Sequence, residues 1–517
     1  MSALDQDRIV AVIGSGAMGA GIAQVAAVAG HTVKLYDTRP DAVAKAIADI
    51  AKVFGKLVEK GRISGADANA AHARLHAAAT LADVAGAALV VEAIVENLDV
   101  KRALFADLEA IVGDDCILAT NTSSISVTAI AAGLRRPQRV VGMHFFNPVP
   151  LMALVEVVSG LATDAGVAAT VHDTAAAWGK NPVHARSTPG FIVNRAARPF
   201  YAEGWRLLNE QAADPATIDA VVREAGGFRM GPFELMDLIG HDVNYSVTQS
   251  VFQAYYNDPR FTPSVLQKEL VDAGFLGRKS GRGCYRYGDG ATTVPPRSEA
   301  PQARPEFVSY SADAGVQDAA TDAMARRLRQ AGIAVSSRKP AEGHASAEAP
   351  AFHCNGAAVY LTDGRSATER ARANHHPDTV LFDLALDYAS ATRIAVACAD
   401  QCDPAAFNAV VGLLQAAGFA VSRLDDVPGL AVMRTVAMLA NEAADIVHQG
   451  VCSAQAVDTA LLKGVNYPRG PLAWADAVGI AHIVTVLHNL AATYGEDRYR
   501  VSPLLRRKHA SGGRFHE

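Results

Sequence analysis

Three glycines at a fixed spacing, an aspartate after them and a histidine–glutamate pair further on are the first chemical signals in this chain. Gly14, Gly16 and Gly19 follow the apolar run Ile9 to Ile13 at the G-x-G-x-x-G spacing, and with Ala17 and Met18 they open an Ala-rich, helix-like stretch. Gly14 permits a tight turn, Gly16 lets the backbone approach a phosphate, and Gly19 lets the helix lie close on the strand. A helix start of this kind offers free N–H groups and partial positive charge to a pyrophosphate. Asp37 ends the next apolar run, 23 residues after Gly14. An acid there accepts hydrogen bonds from a ribose diol and repels a 2′-phosphate, so the pattern predicts an NAD site. Arg39, the nearest cation for a 2′-phosphate, reads as a solvated loop residue.

The residues for proton transfer lie further on. His144 ends a β-like run within Gly142-Met-His-Phe-Phe-Asn-Pro-Val-Pro150, and Glu156 sits inside the next apolar run. Folded face to face, the carboxylate would orient the imidazole and stabilise the imidazolium formed when His144 takes a proton. Asn121-Thr-Ser-Ser124 follows a strand at the carboxyl edge of the expected sheet, where open α/β sheets hold their substrates, and Ser123 offers a hydroxyl there. Asn194, from a later helical region, can supply an amide donor. Each also has a structural reading, as a satisfied core histidine, a strand-edge acid or a helix N-cap. Beside a dinucleotide site the four together point to catalysis.

Apolar runs of strand length alternate with helical patterns up to about Thr188, which predicts a doubly wound parallel sheet. The expected layout is a Rossmann-type α/β NAD-binding domain over 1–187 and an all-α domain over 188–287. A Pro-, Ser- and Ala-rich linker over 288–350, a small α/β unit without a glycine fingerprint over 351–426, and a second all-α copy over 427–517 complete it. The copy is read from identities 239 residues apart: Pro189 with Pro428, Gly190 with Gly429, Arg195 with Arg434, Glu203 with Glu442, Asp219 with Asp458, Asp237 with Asp476 and Gly240 with Gly479. Met433 stands where the first copy has Asn194, so one active site per chain is expected.

At 517 residues the chain exceeds one core, and a net charge of −5 gives no reason to expect nucleic acid or an anionic membrane as partner. No apolar run reaches the length of a membrane span, and no targeting segment is visible at the start. The six cysteines lack zinc-ligand or disulfide-framework spacing, so no metal is expected and the setting reads as reducing and cytoplasmic.

The segments Val91-Glu-Ala-Ile-Val-Glu-Asn97, Thr120-Asn-Thr-Ser-Ser124, His144-Phe-Phe-Asn-Pro-Val-Pro150, Leu154-Val-Glu-Val-Val158, Pro189-Gly-Phe-Ile-Val-Asn-Arg195 and Gly231-Pro-Phe-Glu-Leu-Met-Asp237 resemble, in order, the signature blocks of the 3-hydroxyacyl-CoA dehydrogenase family. The layout with a second helical domain is similar to the long bacterial members that act on 3-hydroxyadipyl-CoA in phenylacetate breakdown or on 3-hydroxybutyryl-CoA. The resemblance implies NAD as cofactor and an acyl-CoA as substrate. It makes His144 the base for the 3-hydroxyl, Glu156 its partner, and Ser123 and Asn194 the donors to the 3-oxygen. It places Glu96, Lys101, Asn147 and Lys279 near NAD, and Lys60, or its neighbour Lys56, near the CoA phosphates. It further implies a homodimer formed through helical domains, with the second copy packed on the first as an internal pseudo-dimer. An adipyl chain would want a cation at its far end, for which Arg198, Arg229 and Arg278 are candidates. The competing readings are a dehydrogenase of a free 3-hydroxy acid, which would rely on a lysine, and a non-catalytic binder.

Overall fold

The computed structural model describes residues 2–292, 294–311, 318–338 and 349–516. They form two compact units. One runs to Arg195 and takes in Gln449–Val465; the other comprises Ala196–His448 and the chain from Asn466 onward.

In the first unit eight strands make one sheet: β1 Val10–Ile13, β2 Val33–Tyr36, β3 Leu75–Ala77, β4 Leu89–Glu92, β5 Ile117–Thr120, β6 Val140–Phe145, β7 Leu154–Ser159 and β8 Asn181–Arg186. Their order is β3-β2-β1-β4-β5-β6-β7-β8. β1, β4 and β5 are buried at every position, as strands covered by helices on both faces must be. The pairing is parallel except between β6 and β7. That one reversal matters most for the site, because its register makes His144 and Glu156 direct cross-strand partners. The helix Ala454–Gly464, from the C-terminal copy, packs on β7 and β8. Its approach is close enough that a Cβ on Gly464 would stand 2.5 Å from Leu154 Cδ2, and Arg186 N donates to Val451 O just ahead of it.

The second unit holds a seven-stranded sheet: β9 Phe307–Ser311, β10 Ala334–Arg338, β11 Phe352–Cys354, β12 Ala357–Leu361, β13 Thr379–Phe382, β14 Arg393–Cys398 and β15 Ala420–Arg423, ordered β10-β9-β11-β12-β13-β14-β15. This corrects the expected 288–350 linker. β9, the helix Asp318–Gln330 and β10 lie inside it and form a parallel pair with its crossover. Their strands are only five residues long and sit in Ala- and Arg-rich sequence, so neither periodicity nor composition announces them. The segment before β9 is strapped down as well: Arg297 Nε lies 2.8 Å from Asp214 Oδ2, and Glu299 N donates to Val421 O.

The repeat reaches further back than its identities. β14 begins 239 residues after β7, β15 after β8, and the helix Pro404–Ala416 after Ala165–Ala177. The antiparallel β13–β14 and parallel β14–β15 pairs reproduce β6–β7 and β7–β8. The helix Pro215–Glu224 of the first copy packs on β14, the counterpart of Ala454–Gly464 on β7. Helices Arg198–Asn209 and Val432–His448 pack together within this unit as the sequence-based pseudo-dimer expects. At their contact Arg434, fully buried, donates from Nε to Glu203 Oε2 at 2.6 Å and bonds Glu210 and the Tyr494 and Tyr499 hydroxyls. Among the described residues no single helix is long and apolar enough to cross a membrane.

Candidate active site

The dinucleotide loop joins β1 to the helix Ala17–Val28. Gly14 has φ +102° and donates its N–H to Tyr36 O at 2.7 Å; an added Cβ would lie 2.5 Å from Ala93 O. A Cβ on Gly19 would stand 1.8 Å from Gly14 O, whereas one on Gly16 would meet nothing within 4 Å. Two glycines are therefore demanded by the protein itself and the third faces open space. Gly16 is the N-cap, and no side chain caps the helix, which leaves its first N–H groups for an anion. Asp37 Oδ2 accepts from Ser15 N at 2.9 Å and Ser15 Oγ at 2.8 Å. Burial raises the Asp37 carboxyl, but the Ser15 and Arg39 hydrogen bonds outweigh it and hold it below the usual carboxylate range. The uncapped helix start, the open face at Gly16 and the ionised acid at the β2 end fit a pyrophosphate and an unphosphorylated ribose.

The proton-transfer pair lies at the β6–β7 reversal. His144 Nδ1 and Glu156 Oε2 are 2.6 Å apart, and Glu156 is wholly buried. A carboxylate can only accept, so the contact calls for the hydrogen on Nδ1, and in the neutral ring Nε2 is then the nitrogen with the lone pair. The other Glu156 oxygen accepts from Ile192 N at 3.1 Å and Val193 N at 2.9 Å, which starts the short helix Val193–Ala196 carrying Asn194. Asn194 Nδ2 in turn donates to Ser123 O at 3.4 Å. One carboxylate thus fixes both the imidazole and the segment that presents the amide. Phe146 and Phe191 flank the imidazole with ring centroids 4.5 and 5.9 Å away, and Asn121 Oδ1 accepts from Phe145 N at 2.8 Å, pinning the end of β6.

The remaining residues expected at the site divide. Glu96 accepts at one oxygen from Thr122 Oγ1 (2.6 Å), Ser123 N (3.0 Å) and Ser124 Oγ (2.9 Å), shaping the loop that bears Ser123. Lys101 is 1% exposed, with Nζ 2.6 Å from Glu92 Oε1 and 3.3 Å from Glu96 Oε2. Its ammonium is held by two carboxylates, so it positions Glu96 rather than presenting a charge to solvent. Asn147 is exposed just past β6, and Lys60 and Lys56 are exposed at the end of the helix Pro40–Glu59. Lys279 belongs to the second unit, where it pairs with Asp242 at 2.5 Å. Sequence reasoning passed over Glu92, which is fully buried at the end of β4 and also accepts from Ile94 N and Thr120 Oγ1. An acid closing an otherwise apolar strand was the available signal. In the second unit Asp383 N donates to Ala395 O, the counterpart of the His144–Glu156 rung, and the Asp383 carboxylate caps Ala431, Val432 and Met433 N. The helix-starting duty of Glu156 survives there without a base.

Residues 9–188 match the 3-hydroxyacyl-CoA dehydrogenase NAD binding domain, and 190–287 and 429–515 match its C-terminal domain. A 3-hydroxyadipyl-CoA dehydrogenase of Escherichia coli K12 is 42% identical over 501 residues, 97% of each chain. The chain belongs to the 3-hydroxyacyl-CoA dehydrogenase family. Residues 359–428 match the 3-hydroxybutyryl-CoA dehydrogenase reduced Rossmann-fold domain, in keeping with a second sheet that has lost its glycine loop. A crystal structure of a 3-hydroxybutyryl-CoA dehydrogenase from the same E. coli strain superposes with a TM-score of 0.87 at 41% identity, covering 98% of this chain and all of that one. A probable 3-hydroxybutyryl-CoA dehydrogenase of Deinococcus radiodurans is 43% identical over 276 residues, 53% of this chain and 99% of its own. The family's cofactor is NAD, and the chain is an NAD-dependent oxidoreductase of 3-hydroxyacyl-CoA thioesters.

Proposed function

We propose that His144 is the general base of this oxidation and that (S)-3-hydroxyadipyl-CoA is the preferred substrate. The observation that carries the base is the 2.6 Å contact between His144 Nδ1 and the buried Glu156 carboxylate, which leaves Nε2 as the free basic nitrogen. Nε2 takes the proton of the 3-hydroxyl, and Glu156 stabilises the imidazolium that forms. Ser123 and Asn194 donate to the 3-oxygen and hold C3 in position. Bound NAD supplies the hydride acceptor, with Gly14, Gly16, Gly19 and the start of the helix Ala17–Val28 holding its pyrophosphate and Asp37 its ribose. Glu96, Lys101 and Asn147 complete the cofactor site on the first unit, and Lys60 meets the CoA phosphates. In reduction the imidazolium returns the proton.

The adipyl preference is supported by the full-length match to the 3-hydroxyadipyl-CoA enzyme. The test is NAD reduction by purified protein with 3-hydroxyadipyl-CoA and 3-hydroxybutyryl-CoA in parallel, with NADP as control. Higher kcat/KM for the adipyl thioester is the expected result; preference for the butyryl thioester overturns the substrate assignment, and faster reduction of NADP overturns the role of Asp37. We further place the protein in the cytoplasm as a homodimer. All six cysteines are free thiols, as a reducing compartment keeps them, and light scattering that returned a monomer would remove the dimer.

A further inference from the structure

We propose that a cavity in the second unit, floored by Arg198, is a binding site for a carboxylate on an apolar stem. The cavity has a volume of about 210 Å³ and is lined by Arg198, Arg206, Arg260 and Arg498 with no aspartate or glutamate. Aromatic and apolar groups, among them Tyr201, Trp205, Phe261 and Leu266, make up much of the remaining wall. Four cations around a partly apolar hole are costly unless something answers their charge.

Three of the four are answered by the protein. Arg206 bonds Glu496 and the Tyr499 hydroxyl, Arg260 bonds Asp258 and Asp445, and Arg498 lies 3.4 Å from Glu496. Arg198 is the exception. It is 6% exposed, and its polar contact is a neutral one, from Nη1 to Thr248 Oγ1 at 2.9 Å, with the guanidinium carbon 4.8 Å from the Tyr201 ring centroid. A buried guanidinium without a carboxylate is what an anion site looks like before its ligand arrives.

The unsatisfied atoms around the cavity point the same way. Arg198 Nε, Trp205 Nε1 and Arg206 Nε are all buried with no hydrogen-bond partner. All three are donors, so what they lack is an acceptor. The rim adds a further feature of the same sign: the first turn of the helix Val265–Asp272, behind its N-cap Ser264, lines the cavity. Size and lining select the ligand class. The volume exceeds that of one small ion, whose water-like share is ~30 Å³, and the aromatic wall suits methylenes more than a second charge.

Two sources can deliver such a group: the far carboxylate of a dicarboxylyl thioester, or a free short-chain acid. Arg198 lies four residues after Asn194 along the chain. The experiment uses the NAD-loaded full-length protein and the variant Arg198→Met. It compares kcat/KM for 3-hydroxyadipyl-CoA and 3-hydroxybutyryl-CoA, and it titrates adipate while following tryptophan fluorescence, which Trp205 reports from the cavity wall. Loss of one charge-assisted pair is expected to weaken carboxylate binding about 10- to 100-fold. If the substrate is the source, the adipyl-to-butyryl ratio falls by that factor in the variant through KM, with butyryl turnover unchanged. If a free acid is the source, adipate affinity falls by that factor while the ratio holds. A folded Arg198→Met protein with neither change overturns the proposal. Should that variant fail to fold, the wild type still decides: no saturable adipate response at millimolar concentration together with equal use of the two thioesters overturns it too. The site is independent of the adipyl assignment, because butyryl preference with tight adipate binding would reject that assignment and keep the cavity.

Discussion

Replacing Glu156 by Gln is the sharpest test of the proton-transfer site, because it changes one atom in a group that makes three hydrogen bonds. The amide oxygen can still accept from Ile192 N and Val193 N, which now lie 3.1 and 2.9 Å from Glu156 Oε1. The helix that carries Asn194 should therefore still start correctly. The amide NH2 then faces His144 Nδ1 at the 2.6 Å position now filled by Oε2. A donor there favours the tautomer with hydrogen on Nε2, the nitrogen that must accept the substrate proton. In a serine-protease triad the same acid-to-amide change costs about 10⁴ in kcat, which is about 5 kcal/mol of barrier. With a 2.6 Å contact and Glu156 wholly buried, we expect kcat to fall by about 10³–10⁴. Folding should weaken by about 1–3 kcal/mol from exchanging charged for neutral hydrogen bonds. The assay is steady-state NAD reduction, with NADH affinity by fluorescence and unfolding by urea on the same preparations. A kcat within tenfold of wild type, with NADH affinity intact, would refute the assignment of His144 as the base oriented by Glu156.

The glycine loop allows a paired test. Gly16→Ala should fold normally and weaken NADH at least tenfold, since its Cβ meets no protein atom and stands on the open face; Gly19→Ala should destabilise the first unit itself, since its Cβ would lie 1.8 Å from Gly14 O. Equal melting temperatures for the two variants would contradict this division. Glu96 carries a pH signature. Burial raises its carboxyl, but the hydrogen bonds from Thr122, Ser124 and Ser123 and the Lys101 charge prevail and hold it below its usual 4.5. A depressed folded-state pKa contributes stability above the unfolded value that is lost as pH falls through the folded one. The melting-temperature gap between wild type and Glu96→Gln should therefore be full at pH 7 and close below about pH 4.5; a constant gap would show that the charge contributes nothing. In the second unit Arg434→Met leaves the buried Glu203 without its guanidinium, with the Tyr499 hydroxyl still donating to it, and should cost about 3–5 kcal/mol of stability in urea unfolding. A loss under 1 kcal/mol would mean that the buried network has relaxed around the methionine.

What the sequence determined by itself was local chemistry and its order. The glycine spacing, Asp37, and the Val140–Phe145 strand are legible because each follows from contacts among near neighbours in the chain: a tight turn, a helix start, an apolar run buried on both faces. The duplication was legible where identities persist, from Pro189 onward. Tertiary structure alone decided the rest. Whether His144 meets Glu156 depends on the antiparallel reversal of β7 and on its register, and a slip of one residue would turn Glu156 to the other face. The burial of Lys101 between Glu92 and Glu96, which gives its charge two partners, has no mark in the sequence. The strands β9 and β10 are too short to carry a period, and they exist because the rest of the second sheet offers them a ladder. The reach of the helix Ala454–Gly464 onto β7 and β8 was equally hidden, since amphipathic sequence states that a face will be buried and not against what.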